Sequence, residues 1–221
     1  MSLADQLRLM VITDPGLFAG RDPVAMCRAA VLGGATMVQV RGKDTPVRDL
    51  VALARALAAE LPVPVLVNDR VDVALVAGAA GAHLGQDDVP LDALRPHLPP
   101  GFVLGLSVGS TAEAERSRGV RADYWSIGPC FATTGKPDAG EPLGASGFGS
   151  LARLAPGVPV IGIGGITAAT AASIVQAGAA GVAVIHAVLG AADPRAAAEA
   201  ILGAIVTARA AGPSGSPKSA P

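Results

Sequence analysis

The chain has 221 residues, of which 51% are hydrophobic and only 3% aromatic, with 28 glycines and a formal net charge of −1. Its Lys and Arg residues are scattered, which leaves no electrostatic footprint for nucleic acid or anionic lipid and points to a small-molecule partner. Two distant cysteines, Cys27 and Cys130, lack metal-like spacing, and the amino terminus "MSLADQLRLMVITD" lacks the basic and apolar regions of a signal peptide, so a reducing, cytoplasmic setting is expected.

Short β-branched runs alternate with Ala/Leu-rich stretches along the chain. Strands are expected at Arg8–Ile12, Met37–Val40, Val63–Val67, Ala82–Leu84, Val103–Leu106, Tyr124–Ile127, Val160–Ile163 and Val182–Ile185. Helices are expected at Pro23–Leu32, Val47–Glu60, Val71–Ala77, Leu91–His97, Thr111–Gly119, Phe148–Leu154, Ala168–Gln176 and Pro194–Arg209. Eight strand–helix units without a long insertion predict one α/β domain over 1–211, a (β/α)8 TIM barrel, with an open doubly wound sheet as the alternative. The stretch Leu154–Ala192 contains no Asp, Glu, Lys or Arg, but Pro156, Pro159, Gly162, Gly164, Gly165, Gly178 and Gly181 interrupt it, which excludes a single spanning helix. The last residues, "GPSGSPKSAP", have a turn-forming composition and no apolar period, so 212–221 read as a disordered tail.

In such a barrel the residues just after each strand converge on one rim, where barrel enzymes place their sites. That rim would carry Gln39, Arg41 and Lys43, then Asn68 and Asp69, then Gln86, Asp87 and Asp88, then Ser107. A long loop, "GPCFATTGKPDAGEPLGASG", then "GIGGI" and "IHA" complete it. Each has a plainer reading. Arg41 and Lys43 suit solvated loop charges, and Asp69 stands where it would cap the helix Val71–Ala77. Asp88 is harder to assign to a cap, because Pro90 suits the first helical turn and leaves Val89 at the cap position. Ser107 is likewise spare, since Ser110 and Glu113 form a capping box for the next helix. The turn before Thr167 can face backbone N–H groups toward an anion or can be a tight turn alone. His83 reads as a strand-flank residue and His97 as a surface one. His186 ends the last strand, where its backbone matters more than its ring. Cys130 has no activating neighbour placed by sequence, which argues against a nucleophilic thiol.

If Arg41, Lys43 and Lys136 bind a diphosphate ester carrying about −3, then Asp69 and Asp88 leave a net of about −2. Repulsion of that kind is untenable in a partly dry cleft, and one Mg²⁺ held by the two carboxylates and phosphate oxygens would balance it.

Seven stretches, in order, resemble the thiamine phosphate synthase family. They are "VQVRGK", "LVNDRVDVA", "AHLGQDD", "LGLSV", "ADYWSIGPCFATTGKPDAG", "VPVIGIGGIT" and "AGAAGVAVIHAV". The resemblance implies a (β/α)8 barrel. It implies that Gln39, Val40, Arg41, Gly42, Lys43, Asn68, Ser107 and Lys136 bind the aminopyrimidine diphosphate, with Arg41, Lys43, Ser107 and Lys136 as catalytic groups. Asp69 and Asp88 would hold Mg²⁺, and Thr133, Thr134, Gly135, Gly165, Ile185 and His186 would meet the thiazole phosphate. Gly42 stands in place of an acidic residue, Gly135 in place of a Ser or Thr, and His186 in place of a Ser. The implied reaction is displacement of diphosphate from the pyrimidine methylene by the thiazole nitrogen, a transferase step of thiamine biosynthesis. It needs no general base at the nitrogen.

The rivals are the sister family of thiazole tautomerases, a sugar-phosphate isomerase or aldolase barrel, and a non-catalytic thiamine-phosphate sensor. A tautomerase has no evident use for a diphosphate and metal clamp, and no predicted strand contains the Lys or Glu that an aldolase or isomerase needs. Length and glycine content predict a lid between Pro129 and Gly149. Homo-oligomerisation is left open by the sequence.

Overall fold

A computed structural model describes residues 1–18, 20–133 and 140–211. Eight strands, β1 (Leu9–Ile12), β2 (Met37–Val40), β3 (Val65–Asn68), β4 (Gly81–Leu84), β5 (Val103–Val108), β6 (Tyr124–Ile127), β7 (Val160–Ile163) and β8 (Gly181–Val184), pair in parallel and in sequence order. β8 closes on β1 through Leu9↔Val182, so the barrel has no free edge.

The strands are apolar on both faces because both are covered. One face, with Leu9, Val11, Val38, Val40, Val67, Leu104, Trp125 and Val184, packs against the surrounding helices. The other fills the interior with Met10, Ile12, Met37, Leu66, Tyr124, Ile161 and Ala183. Strand registers stagger the inward side chains into layers drawn from alternate strands. Toward the carboxyl ends these layers become polar. Gln39, His83 and Ser126 share one layer, and Asn68 and Ser107 the layer above it.

The helices are α1 (Leu3–Gln6), α2 (Pro23–Leu32), α3 (Val47–Glu60), α4 (Val71–Ala77), α5 (Leu91–Leu94), α6 (Thr111–Ser117), α7 (Gly144–Ala152), α8 (Ala171–Gln176), α9 (His186–Leu189) and α10 (Pro194–Ala210). Their ends follow local chemistry. Asp22 accepts the Val24 N–H ahead of α2, with Pro23 in the first turn, and Asp193 caps α10 by accepting from Arg195 and Ala196. Gly78, at φ 72°, ends α4 in the left-handed conformation that favours glycine. Ser110 caps α6 as read from its S-x-x-E pattern, although the Glu113 carboxylate reaches back to Gly109 N–H rather than to Ser110.

Several boundaries depart from the sequence reading. The segment expected to form one helix over Leu91–His97 is α5 followed by a 3₁₀ turn over Arg95–His97, where Pro96 denies the α-helix a donor. The residue at the α5 cap is Pro90, not Val89. α7 begins at Gly144, four residues before the expected start, so the far end of the predicted lid is helical. α1 and α9 were too short to be read from periodicity. No described helix is long and apolar enough to cross a membrane. The proposed tail, 212–221, lies outside the described residues.

Candidate active site at the carboxyl rim

The β2 loop is anchored from beneath. Thr13, fully buried beyond β1, accepts the Arg41 N–H at 2.8 Å and donates its hydroxyl to the Arg41 carbonyl at 3.0 Å. A two-sided bond to one residue fixes where the Arg41 guanidinium starts. That guanidinium stands 3.9 Å from the Asp14 carboxylate, and both side chains are largely covered. Asp14 therefore adds a third acid near this rim that the charge arithmetic omitted. Gly42 permits the turn that follows, since a Cβ there would lie 2.4 Å from Thr45 Oγ1. An acidic side chain at position 42 would require Thr45 to move. Lys43 is exposed just beyond it. Val40 is buried on the helix-facing side, so its side chain is not in the site.

Asp69 is not a helix cap: the α4 cap position belongs to Arg70, which makes no side-chain cap bond. Instead Asp69 centres a three-residue turn, with φ 59° and Arg70 N–H bonded to Asn68 C=O at 2.7 Å. It is the one non-glycine residue with positive φ among the described residues. Such a conformation costs on the order of 1–3 kcal/mol and persists only where its surroundings enforce it. Here the enforcing contact is Asp69 N–H to His83 C=O at 2.8 Å.

The turn brings Asp69 to Asp88. Partial burial pushes the Asp69 carboxyl above its usual range, and the charge of Asp88 and a hydrogen bond with it push in the same direction, while Lys43 and Arg41 pull it down. These four side chains thus share one electrostatic neighbourhood, as the rim inventory expected. Asp88 is held by the Gly85 N–H, which donates to its Oδ2 at 2.7 Å. No group of three or more potential metal-ligating side chains occurs among the described residues. Two carboxylates with no His or Cys form a hard oxygen donor set of the kind Mg²⁺ takes when water and phosphate oxygens complete its shell.

Ser107 sits at the barrel mouth. Its carbonyl accepts from Gln86 Nε2 at 2.7 Å, and its hydroxyl lies 2.9 Å from His83 Nε2. His83 is not a flank residue: it is enclosed in the barrel interior, with Nδ1 2.8 Å from Tyr124 Oη. Burial pushes its imidazole down to about 4, against the opposing charge of Asp88, so the ring is neutral at pH 7. Gln39, also buried, donates to Met10 Sδ at 3.5 Å.

On the opposite side of the mouth, Gly164 and Gly165 have φ 91° and 63°. A Cβ on Gly165 would fall 2.4 Å from Ala132 O, so glycine is what lets this turn lie against the β6 loop. Cys130 N–H and Phe131 N–H bond to Ile163 and Gly164 carbonyls there, extending the β6–β7 pairing past the strand ends. Burial pushes the Cys130 thiol up to about 12, which makes it a poor nucleophile. Ile185 caps α9 and His186 is its exposed first residue, so β8 ends earlier than expected. Thr133 is half-buried in the β6 loop, whereas Thr134, Gly135 and Lys136 lie outside the described residues.

Sequence reasoning missed Thr13, Asp14, Tyr124 and the inward role of His83. For His83 and Tyr124 the available signal was strand alternation. Gly81 and His83 share one face of β4, and a polar residue on a face read as barrel interior demands a partner.

Comparison with known proteins accords with this geometry. A family model described as thiamine monophosphate synthase matches residues 9–188. A thiamine-phosphate synthase from Roseiflexus sp. (strain RS-1) is 47% identical over 201 residues, spanning 90% of this chain and 85% of that protein. The thiamine-phosphate synthase of Moorella thermoacetica is 43% identical over 207 residues, spanning 92% and 98%. Among solved structures, thiamine phosphate pyrophosphorylase from Pyrococcus furiosus superposes with a TM-score of 0.84 at 35% identity, covering 94% of this chain and 99% of that one. A match this long, running from the first strand into the helix after the last, establishes that the chain belongs to the thiamine monophosphate synthase family.

Proposed function

We propose that the chain is a thiamine phosphate synthase, joining 4-amino-2-methyl-5-(diphosphooxymethyl)pyrimidine to 4-methyl-5-(2-phosphooxyethyl)thiazole with release of diphosphate. Within the fold, the observation that carries this reading is the gathering of Arg41, Lys43, Asp69 and Asp88 at one rim. A clamp of two cations and two acids suits a diphosphate that departs with its charge neutralised. A tautomerase has no such group to neutralise.

The C–O bond between the pyrimidine methylene and the diphosphate breaks, its electron pair leaves with the diphosphate, and the thiazole nitrogen lone pair forms the new C–N bond through a pyrimidine cation. No proton has to be removed from that nitrogen. Arg41 and Lys43 bind the diphosphate oxygens and stabilise the charge that grows on them, and the family resemblance assigns Lys136 the same task. Asn68 and Ser107 line the mouth where the pyrimidine enters. The thiazole phosphate lies against Gly165 and the backbone at Ile185 and His186, with Thr133 to Gly135 assigned by resemblance. Asp69 and Asp88 would hold Mg²⁺, which when bound supplies Lewis-acid neutralisation of the leaving diphosphate. Each preorganised electrostatic group of this kind is worth roughly 10²–10³ in rate. Two buried thiols without a disulfide fit a cytoplasmic enzyme.

The test is product formation from the two purified substrates with Mg²⁺. Thiamine phosphate and diphosphate should appear in equal amounts, and their absence overturns the synthase reading. Asp69→Asn and Asp88→Asn should each weaken metal-dependent turnover. Wild-type rates in both across a metal titration would remove the carboxylates from the mechanism.

A further inference from the structure

Beneath the mouth, three side chains form a hydrogen-bonded column through the barrel interior: Tyr124, His83 and Ser107. Tyr124 belongs to the lowest inward layer, His83 and Gln39 to one two layers higher, and Ser107 to the layer at the mouth. What lets Tyr124 reach upward is Gly105, which lies between His83 and Tyr124 in the sheet. A Cβ at Gly105 would stand 2.2 Å from Tyr124 Cζ and 2.4 Å from His83 Nδ1. The phenol and imidazole rings then stack with centroids 5.4 Å apart.

The direction of the hydrogen bonds follows by elimination. Tyr124 is fully buried, so its hydroxyl has no water to turn to. Tyr124 must still place its own O–H, and among the described residues the acceptor beside it is His83 Nδ1 at 2.8 Å. Nδ1 is therefore unprotonated, and the single imidazole N–H is on Nε2. Nε2 faces Ser107 Oγ at 2.9 Å, so it donates there. Ser107 receives a bond from below, has no second side-chain partner among the described residues, and is half-buried at the mouth.

We propose that His83 is a positioning residue: the chain Tyr124→His83→Ser107 runs one way and leaves the Ser107 hydroxyl as an obligate donor toward the bound substrate. An outward hydroxyl hydrogen is the polarity a departing diphosphate oxygen needs. The reverse chain would spend that hydrogen on the imidazole. This inference rests on the synthase reading for its catalytic consequence, but the tautomer itself does not.

Two measurements test it separately. In the His97→Gln/His186→Gln variant His83 is the one histidine left, and ¹⁵N NMR near neutral pH should show Nε2 protonated and Nδ1 bare. An Nδ1–H tautomer or an imidazolium overturns the proposal, whether or not the chain makes thiamine phosphate. In turnover, Ser107→Ala should lower kcat about 100-fold, as loss of one preorganised donor does. His83→Leu should lower kcat about 10- to 100-fold with the KM for the pyrimidine diphosphate changed less, while His83→Gln, which keeps an amide N–H near Nε2, should recover most of the loss. Introduced into Ser107→Ala, His83→Leu should cost less than about twofold more, because the two act as a unit. Equal losses in both backgrounds would make His83 a merely structural residue and sink the proposal.

Discussion

Replacing Asp69 by Asn should make the metal-free protein more stable and the enzyme slower, and the two effects have one origin. The carboxyl of Asp69 is raised above its ordinary 3.8 by burial first, then by the charge of Asp88. A neutral amide removes both penalties, and Asn tolerates the left-handed turn as well as Asp does, so the backbone contribution cancels. Two unit charges about 4 Å apart repel by about 4 kcal/mol at an effective dielectric of 20 and about 1 kcal/mol in water. Asp69 is open to solvent at the rim, so the lower figure applies, about 1 kcal/mol. In a domain of this size that is roughly 2–4 °C in Tm. A raised folded-state value means that the folded protein binds this proton more tightly than the unfolded chain. Stability from the group is complete below 3.8 and is lost as pH rises through the folded value. The variant should therefore melt higher at pH 7 in chelator-treated buffer, and the gap should close on acidification toward 3.8. Mg²⁺ should reverse the order, since a ligand at about 100 times its Kd adds about 2.7 kcal/mol to the protein that binds it. Thermal melts across pH, with and without Mg²⁺, decide the matter. A variant no more stable than wild type at pH 7, or a gap that does not change with pH, would refute the reasoning.

Thr13→Val removes the hydroxyl that satisfies both backbone groups of Arg41, so it should cost about 1–3 kcal/mol in a denaturant titration and raise the KM for the pyrimidine diphosphate. Arg41→Lys keeps the charge but loses the planar fork, so kcat/KM should fall in steady-state assays while Tm changes little. Gly165→Ala places a Cβ 2.4 Å from Ala132 O at a positive φ, and melts should show a loss of at least about 1–2 kcal/mol together with a raised KM for the thiazole phosphate.

Much of the barrel was legible because its signals are local. Strand–helix alternation located all eight strands, and helices expected to begin at Pro23 and Pro194 and to end at Ala77 do so. The rim residues were legible because every parallel strand ends on the same side, so position after a strand is itself spatial information. What escaped depends on contacts across the barrel. Thr13 and Arg41 are 28 residues apart and Tyr124 and His83 are 41 apart, and no spacing rule links either pair. The cap reading of Asp69 failed for a related reason. Its position suited a cap, but the bond from its N–H to His83 C=O holds the backbone in a turn that no propensity anticipates.

That turn explains how adjacent residues serve the same mouth. Asn68 is paired with His83 in the inward register, so in a continuing strand Asp69 would point outward among the helices, as Val67 does on the other side of Asn68. A positive φ at Asp69 breaks the alternation, and its carboxyl meets Asp88 at the rim instead. The His83 backbone that holds this turn belongs to the residue whose ring supports Ser107. One residue of β4 therefore couples the carboxylate pair to the hydroxyl. A change that moved the β4 backbone at His83 would disturb both together, whereas a change confined to its ring would disturb the hydroxyl alone.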